Sequence, residues 1–212
     1  MRRLKRLVGI ALFLAALPSL LAASSVQKIN NSKVSVTEET LAPGESAPLP
    51  SARPNIVVYF SGDEVEAAPA EGKGAKEAIR RGETVFEPAG TKTLKNIGSS
   101  ELRYVRIEFL TPGKQETWGK TGLSANYKIL VENRYVRAYD IRFPPHSYEP
   151  LHTHRDRVII CLSGATLEHV LPSGQKQPSS LRTGEILWSP EATHAGHNMG
   201  STELWVVFVE PK

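Results

Sequence analysis

The sequence predicts an all-β protein made of two tandem copies of one small β-barrel, and two observations carry this prediction. First, a repeat runs along the chain at a constant offset of 102 positions. In that register, residues 82–108 and 184–210 share eleven identical residues, beginning with Gly82 and Gly184. Second, short apolar segments alternate with turns rich in Gly, Pro and Ser, a pattern typical of barrels and sandwiches. Together they favour two similar β units.

The clearest strands are predicted in the second copy, where aromatic and β-branched residues cluster between turn sequences. Pro144-Pro145 and Ser163-Gly164 are two of these turns. One short helix of one or two turns is expected in the first copy, over Gly74–Arg81. The predicted strands of the second copy are Tyr135–Phe143, Val158–Leu162, Ala165–Leu171, Glu185–Trp188 and Leu204–Val209.

The N-terminal segment Met1–Ser25 has the order of a secretory signal peptide. Four cations near the start precede the apolar run Leu7–Leu17, and a Pro18 break leads to small residues at 22–25. We therefore expect export to the periplasm or the extracellular space, with cleavage near residues 22–25. An uncleaved anchor is the alternative, but Pro18 and the small-residue flank argue against stable membrane insertion.

The net charge of +4 and the pI of about 9.2 come from that segment. Its cations are Arg2, Arg3, Lys5 and Arg6, and the first 23 residues contain no acid, so the remaining chain is neutral. A neutral body offers no global field for nucleic acid, and we expect no nucleic-acid partner.

Export leads to an oxidising compartment, yet Cys161 is the only cysteine, so no intramolecular disulfide can form. The predicted organisation is a signal peptide over 1–25, an N-terminal barrel over 26–112, a linker over 113–126 and a C-terminal barrel over 127–212. The linker is rich in Gly, Lys, Thr and Ser, which suits an exposed connection.

All six histidines lie in the second copy. In a strand, His152 and His154 leave the same face with Cα atoms about 6.6 Å apart, so both imidazoles can converge on one ion. His194 follows a later strand and adds a third nitrogen donor. Three neutral imidazoles with open positions suit a catalytic or binding metal site. The remaining histidines are assigned surface or structural roles, namely His146, His169 and His197.

These motifs resemble those of the cupin family of small β-barrels. The first motif is His152-Thr153-His154 followed by Gly164, and the second consists of Gly184, Pro190, His194 and Asn198, with Pro190 one position out of register. Through the repeat, the resemblance covers both copies. It implies two tandem cupin barrels of the jelly-roll-like, double-stranded β-helix type. It also implies a divalent transition metal (Zn, Fe, Mn, Ni or Cu) on His152, His154 and His194, a small-molecule ligand, and the family's habit of forming homodimers.

One departure concerns the fourth ligand, because the position of the family's metal-binding Glu falls on Arg157, a cation that cannot bind a metal. Asp156 is adjacent and can substitute if the strand runs straight from His152. A three-His site, a three-His-one-Asp site and a site without metal all stay open here. In the first copy the same offset places Pro50, Ala52 and Lys92 at the ligand positions, so we interpret that copy as a structural half.

The predicted function is therefore that of an exported bicupin which binds a divalent metal in its C-terminal barrel and acts on or binds a small molecule. Arg157 and Tyr148 are the candidates for substrate contact, and the planar fork of Arg157 suits a carboxylate. Oxygenase, isomerase and lyase chemistry all fit such a site, so activity itself stays open. The alternative is a non-catalytic small-molecule-binding or structural cupin with a relic metal site.

Overall fold

The structure, a computed structural model, describes residues 23–115 and 125–212. The predicted signal peptide up to residue 22 and positions 116–124 of the predicted linker lie outside the described residues. Eighteen strands and no helix make up the regular structure of these two ranges, which confirms the all-β prediction. Neither range holds a helix of the length and apolarity needed to cross a membrane.

The first unit contains nine strands in two antiparallel sheets. Its five-stranded sheet has the order β1-β2-β9-β4-β7, and its four-stranded sheet has the order β3-β8-β5-β6. The bounds are β1 Ser24–Asn30, β2 Val34–Leu41, β3 Ser46–Ser51, β4 Asn55–Tyr59, β5 Asp63–Pro69, β6 Ala75–Ile79, β7 Thr84–Glu87, β8 Gly90–Asn96 and β9 Leu102–Phe109.

The second unit repeats this topology strand for strand. Its sheets have the orders β10-β11-β18-β13-β16 and β12-β17-β14-β15. Each of the five strands that the sequence predicts for this copy is present, with ends that differ by about two residues at most. The bounds are β10 Tyr127–Glu132, β11 Val136–Phe143, β12 Tyr148–His154, β13 Arg157–Ser163, β14 Ala165–Val170, β15 Lys176–Leu181, β16 Ile186–Ser189, β17 Ala192–Asn198 and β18 Leu204–Pro211.

The predicted helix over Gly74–Arg81 is wrong, because Ala75–Ile79 forms β6 at the edge of a sheet. It pairs antiparallel with β5 and places Lys76 opposite Glu66. Helix propensity is a weak prior that tertiary pairing overrides. The side chains of β6 are exposed up to Ala78, and Ile79 is buried.

The two units pack through their five-stranded sheets, and both contribute equivalent residues to the shared core. Val34 and Val136 are fully buried there, as are Ile56 and Val158. Each barrel also has a core of its own, and that of the second unit holds Cys161. Burial raises the pKa of the Cys161 thiol to about 12, so this cysteine is an inert packing residue.

Two glycines of the repeat form matching contacts across the unit interface. Gly82 and Gly184 have φ values of +81° and +87°, which favour glycine in these turns. Gly82 lies against the ring of Trp205, and Gly184 lies against the guanidinium of Arg103, the residue equivalent to Trp205. The glycine of the second sequence motif is therefore a structural element present in both units.

The asparagine of that motif is structural as well. Asn198 is fully buried, and its side-chain amide donates to the carbonyls of Phe143 and Thr202 at 2.9 Å each. Asn96 makes the equivalent hydrogen bonds to Leu41 and Ser100 in the first unit. Since the first unit contains no histidine, these bonds serve the barrel and not a metal.

Candidate metal centre

Three histidines meet on two neighbouring strands of the second barrel. β12 pairs antiparallel with β17, and this register places His152 opposite His194. His154 lies two residues further along the same face of β12. One ring nitrogen of each histidine lies within 4.8 Å of the other two. The structure thus brings together the three residues that the sequence singles out as metal ligands.

The ring of His152 is held in one tautomer. Its Nδ1 lies 2.7 Å from the carbonyl oxygen of Pro150. A carbonyl only accepts hydrogen bonds, so Nδ1 carries the proton and the lone pair of neutral His152 is on Nε2. That Nε2 lies 2.8 Å from Nε2 of His154. A single proton can bridge these nitrogens in the metal-free protein, and a bound cation would take its place.

A β-bulge brings a carboxylate to the same face of β12. The pairing with β17 shifts register between Glu149 and His152, so Pro150 and Leu151 occupy an irregular step. In a straight strand, residues 149 and 152 would point to opposite faces. The bulge reverses this parity, and Glu149 is buried with Oε2 3.6 Å from Nε2 of His152. Sequence reasoning missed Glu149, although Pro150 within a strand was a signal for a bulge.

Burial and neighbouring positive charge keep two of the imidazoles neutral. Burial, followed by the effects of the nearby His169, His152 and Arg157, lowers the pKa of His194 to about 3. Burial likewise holds the pKa of His154 far below its usual range, followed by the effect of Arg157. Neutral imidazoles are the form that binds metal, so the pair is ready for a cation at neutral pH.

These depressed pKa values predict that the metal-free protein loses stability as the pH falls. The unfolded chain takes up protons on His154 and His194 below about pH 6.5, while the folded chain does not. Between about pH 6.5 and 5, we expect the free energy of unfolding to drop by about 3 kcal/mol, measured by urea unfolding without metal. His194→Asn should remove about half of the loss, and an identical pH profile for this variant would contradict the assignment.

The structure places the candidate fourth ligand Asp156 away from the histidines. Its Oδ2 lies 2.6 Å from Nζ of Lys33 in the first unit, and its Oδ1 accepts a hydrogen bond from the backbone N–H of Glu191 at 2.7 Å. Asp156 therefore links the two units. Tyr148 also lies outside the cavity, since 61% of it is exposed and its ring lies edge-on to His197.

Two of the three histidines, His154 and His194, line a cavity of about 300 Å³ inside the barrel. Its walls are mostly apolar and come from both sheets. Arg157 also lines it, from the first position of β13. His169 and His197, for which the sequence predicts surface or structural roles, line the cavity too, and the ring of His169 stacks on His194 with centroids 4.3 Å apart. The main apolar walls are Ile141, Phe143, Leu167, Leu204, Val206 and Phe208.

The first unit lacks such a site, but its equivalent positions differ from those expected. Without the bulge, β3 pairs regularly with β8 and places Leu49 opposite Lys92. Since Lys92 corresponds to His194, Leu49 takes the place of His152, and Ser51 takes the place of His154. The gap-free alignment with Pro50 and Ala52 is therefore one residue out at this strand. Lys92 itself forms an ion pair with Glu87.

Similarity to known proteins is visible in the fold. No family model matches the sequence, and no curated protein matches it. AerE from Microcystis aeruginosa superposes with a TM-score of 0.67 at 13% identity, over 92% of this chain and 95% of that one. A cupin 2 conserved barrel domain protein from Leptotrichia buccalis gives 0.59 at 14% identity, over 93% and 92%.

A deletion mutant of oxalate decarboxylase from Bacillus subtilis gives a TM-score of 0.61 at 11% identity, over 89% of this chain and 72% of that one. At these identities the similarity concerns the fold alone. The chain therefore has the cupin fold in two tandem copies, as its sequence motifs imply, and its chemistry has to be argued from its own residues.

Proposed function

We propose that this two-cupin chain is exported, binds one divalent transition metal through His152, His154 and His194, and acts on a small molecule in the adjoining cavity. The observation that carries the proposal is the convergence of three imidazole nitrogens within 4.8 Å, beside an apolar cavity that His154 and His194 line. The N-terminal charge and hydropathy pattern supports export, and cleavage after Ala23 would leave β1 intact, since it begins at Ser24.

The residues present fit a transition metal. Three imidazole nitrogens suit Zn, Cu, Fe and Ni, and the nearby Glu149 carboxylate offers the oxygen type that Mn accepts. The hydrogen bond from Nδ1 of His152 to Pro150 is an outer contact of the kind that orients metal-binding imidazoles. Three ligands from the protein leave room for a further molecule. When bound, the metal would polarise a ligand atom or a water molecule at such an open position.

A neighbouring tyrosine orients the Glu149 carboxylate of the site. The Tyr127 hydroxyl lies 3.2 Å from Oε2 of Glu149 and donates to it. Burial and the adjacent Glu149 raise the pKa of Tyr127 far above its usual range, so it stays protonated and remains a donor. This bond directs the Glu149 carboxylate towards His152. The mostly apolar walls lower the effective dielectric constant, which strengthens polar contacts made inside the cavity.

Glu149→Gln is predicted to weaken metal binding by roughly 10- to 100-fold, the range typical of groups that support metal ligands. The amide keeps the shape of the side chain but removes the negative charge 3.6 Å from His152. Competition with a chromophoric chelator measures the affinity. Glu191→Gln is the matched control, because the side chain of Glu191 is exposed and outside the cavity. Equal effects of both substitutions would exclude Glu149 from the site.

Elemental analysis of the mature protein tests the proposal, followed by turnover assays of metal-free and reloaded samples against small acids and thiols. We expect one metal per chain and turnover only in the reloaded sample. Metal binding without turnover would favour the non-catalytic small-molecule-binding cupin. If neither the purified nor the reloaded protein retains metal, the proposed metal site is wrong.

A further inference from the structure

Arg157 is a buried cation without an ion-pair partner in the described part of the chain. Only 4% of it is exposed. Its hydrogen bonds all use Nη1, which donates to the carbonyl oxygens of Arg155 at 3.1 Å and Pro190 at 3.3 Å. Nε has no hydrogen-bond partner among the described residues. One edge of the guanidinium, formed by Nε and Nη2, is thus left without a protein acceptor.

The nearby acids do not neutralise this charge by direct contact. Asp156 is engaged with Lys33 and the backbone of Glu191. Glu210 accepts a hydrogen bond from the backbone of Arg155, and burial raises its pKa. Burial lowers the pKa of Arg157 to about 10, so the guanidinium is still charged at neutral pH. A buried cation without a counter-ion is costly, and a charged group with a perturbed pKa in a cleft is a candidate for a functional site.

The orientation of the guanidinium is fixed by its surroundings. Its Cζ lies 4.9 Å from the centroid of the Phe208 ring, a cation–π contact that holds the plane. The carbonyls of Arg155 and Pro190 accept hydrogen bonds from Nη1, so the edge without an acceptor is the one formed by Nε and Nη2. This edge presents two parallel N–H groups, the geometry that a carboxylate accepts in a bidentate pair. A lysine would present no such fork.

We propose that the ligand of the C-terminal cavity is a small carboxylic acid with an apolar body. Its carboxylate pairs with the guanidinium of Arg157, which lines the cavity, and its body packs among Phe143, Leu204 and Val206. The volume of about 300 Å³ lies at the lower end for small-molecule sites, so the acid is small. The inference rests on the proposed function only for the use of this cavity as the substrate site, because the Arg157 contact needs no metal.

Calorimetry on the metal-free mature protein compares the affinity for phenylacetate with the affinity for its uncharged analogue phenylacetamide. We expect phenylacetate to bind roughly 10- to 100-fold more tightly, the range for hydrogen bonds to charged groups. Arg157→Met should abolish this preference, while Arg182→Met, on an exposed arginine outside the cavity, should keep it. Equal binding of the two probes by the wild type would overturn the proposal.

Arg157→Lys keeps the charge but lacks the fork, so it serves if Arg157→Met does not fold. We expect Arg157→Lys to bind phenylacetate roughly tenfold more weakly than the wild type. Unchanged affinity in either folded variant would also overturn the proposal. Because all samples are metal-free, a failure of the metal site leaves these results standing, and a failure of carboxylate binding leaves the metal analysis standing.

Discussion

His154→Ala is expected to lower the affinity for a divalent metal by at least about 100-fold, because losing a supporting group already costs 10- to 100-fold and a direct ligand costs more. His154 is 4% exposed, and its ring contacts those of both His152 and His194, with centroids 4.5 and 5.2 Å away. Its removal takes one nitrogen from the centre of the site. Competition with a chelator measures the loss in the metal-reloaded protein.

His146→Asn is the control for this substitution. His146 is exposed in a turn with a φ of +58°, a conformation that asparagine tolerates. We expect its metal affinity to equal that of the wild type. Circular dichroism and melting show whether the His154 variant is folded, and His154→Asn supplies a polar replacement if alanine unfolds the barrel. A folded His154 variant with unchanged affinity would contradict the role of His154 as a ligand.

Gly82→Ala is expected to destabilise the protein by about 2 to 5 kcal/mol. Two effects add. A residue with a side chain at a φ of +81° costs about 1 to 2 kcal/mol. A Cβ atom at this position would also overlap Cζ2 of Trp205 across the unit interface, and such overpacking costs about 1 to 3 kcal/mol. Urea unfolding measures the difference.

Gly44→Ala separates these two effects. Gly44 has a φ of +83°, but a Cβ atom added there meets nothing within 4 Å. We therefore expect a loss of only about 1 to 2 kcal/mol from backbone strain. If both alanine variants lose the same stability, Gly82 makes no tight contact with Trp205, and the packing of the two units differs from that described here.

The repeat and the spacing of turns were sufficient to predict the fold. The offset of 102 positions predicted two like units, and the aromatic and branched run at 135–143 predicted β11. Gly74–Arg81 is the one segment for which a helix is predicted, and the structure has a strand there. Pairing with β5 decides its structure, and such a partner is not visible in a local window.

The candidate site was only partly predictable. His152 and His154 follow from strand periodicity, and His194 follows from its place after β16. Glu149 could not be placed by the same rule, because one extra residue at a bulge turns it to the opposite face. His169 reaches the cavity through the register of β14 with β17, a pairing of distant segments that the sequence alone does not specify.

The bulge also explains why a gap-free alignment of the two units is one residue out at this strand. A repeat read without gaps assumes that both copies contain the same number of residues in every strand. β12 has an additional residue relative to β3, and the register recovers before β13, where Arg157 corresponds to Asn55. Asn55, like Arg157, has a buried polar atom without a hydrogen-bond partner among the described residues.

Anomalous diffraction from crystals of the zinc-reloaded protein, recorded at the zinc absorption edge, tests the central claim most directly. The account predicts one strong peak between the ring nitrogens of His152, His154 and His194, within reach of the Glu149 carboxylate. It also predicts that this peak is missing in His154→Ala crystals. A peak elsewhere with none among these nitrogens would contradict the proposed metal centre.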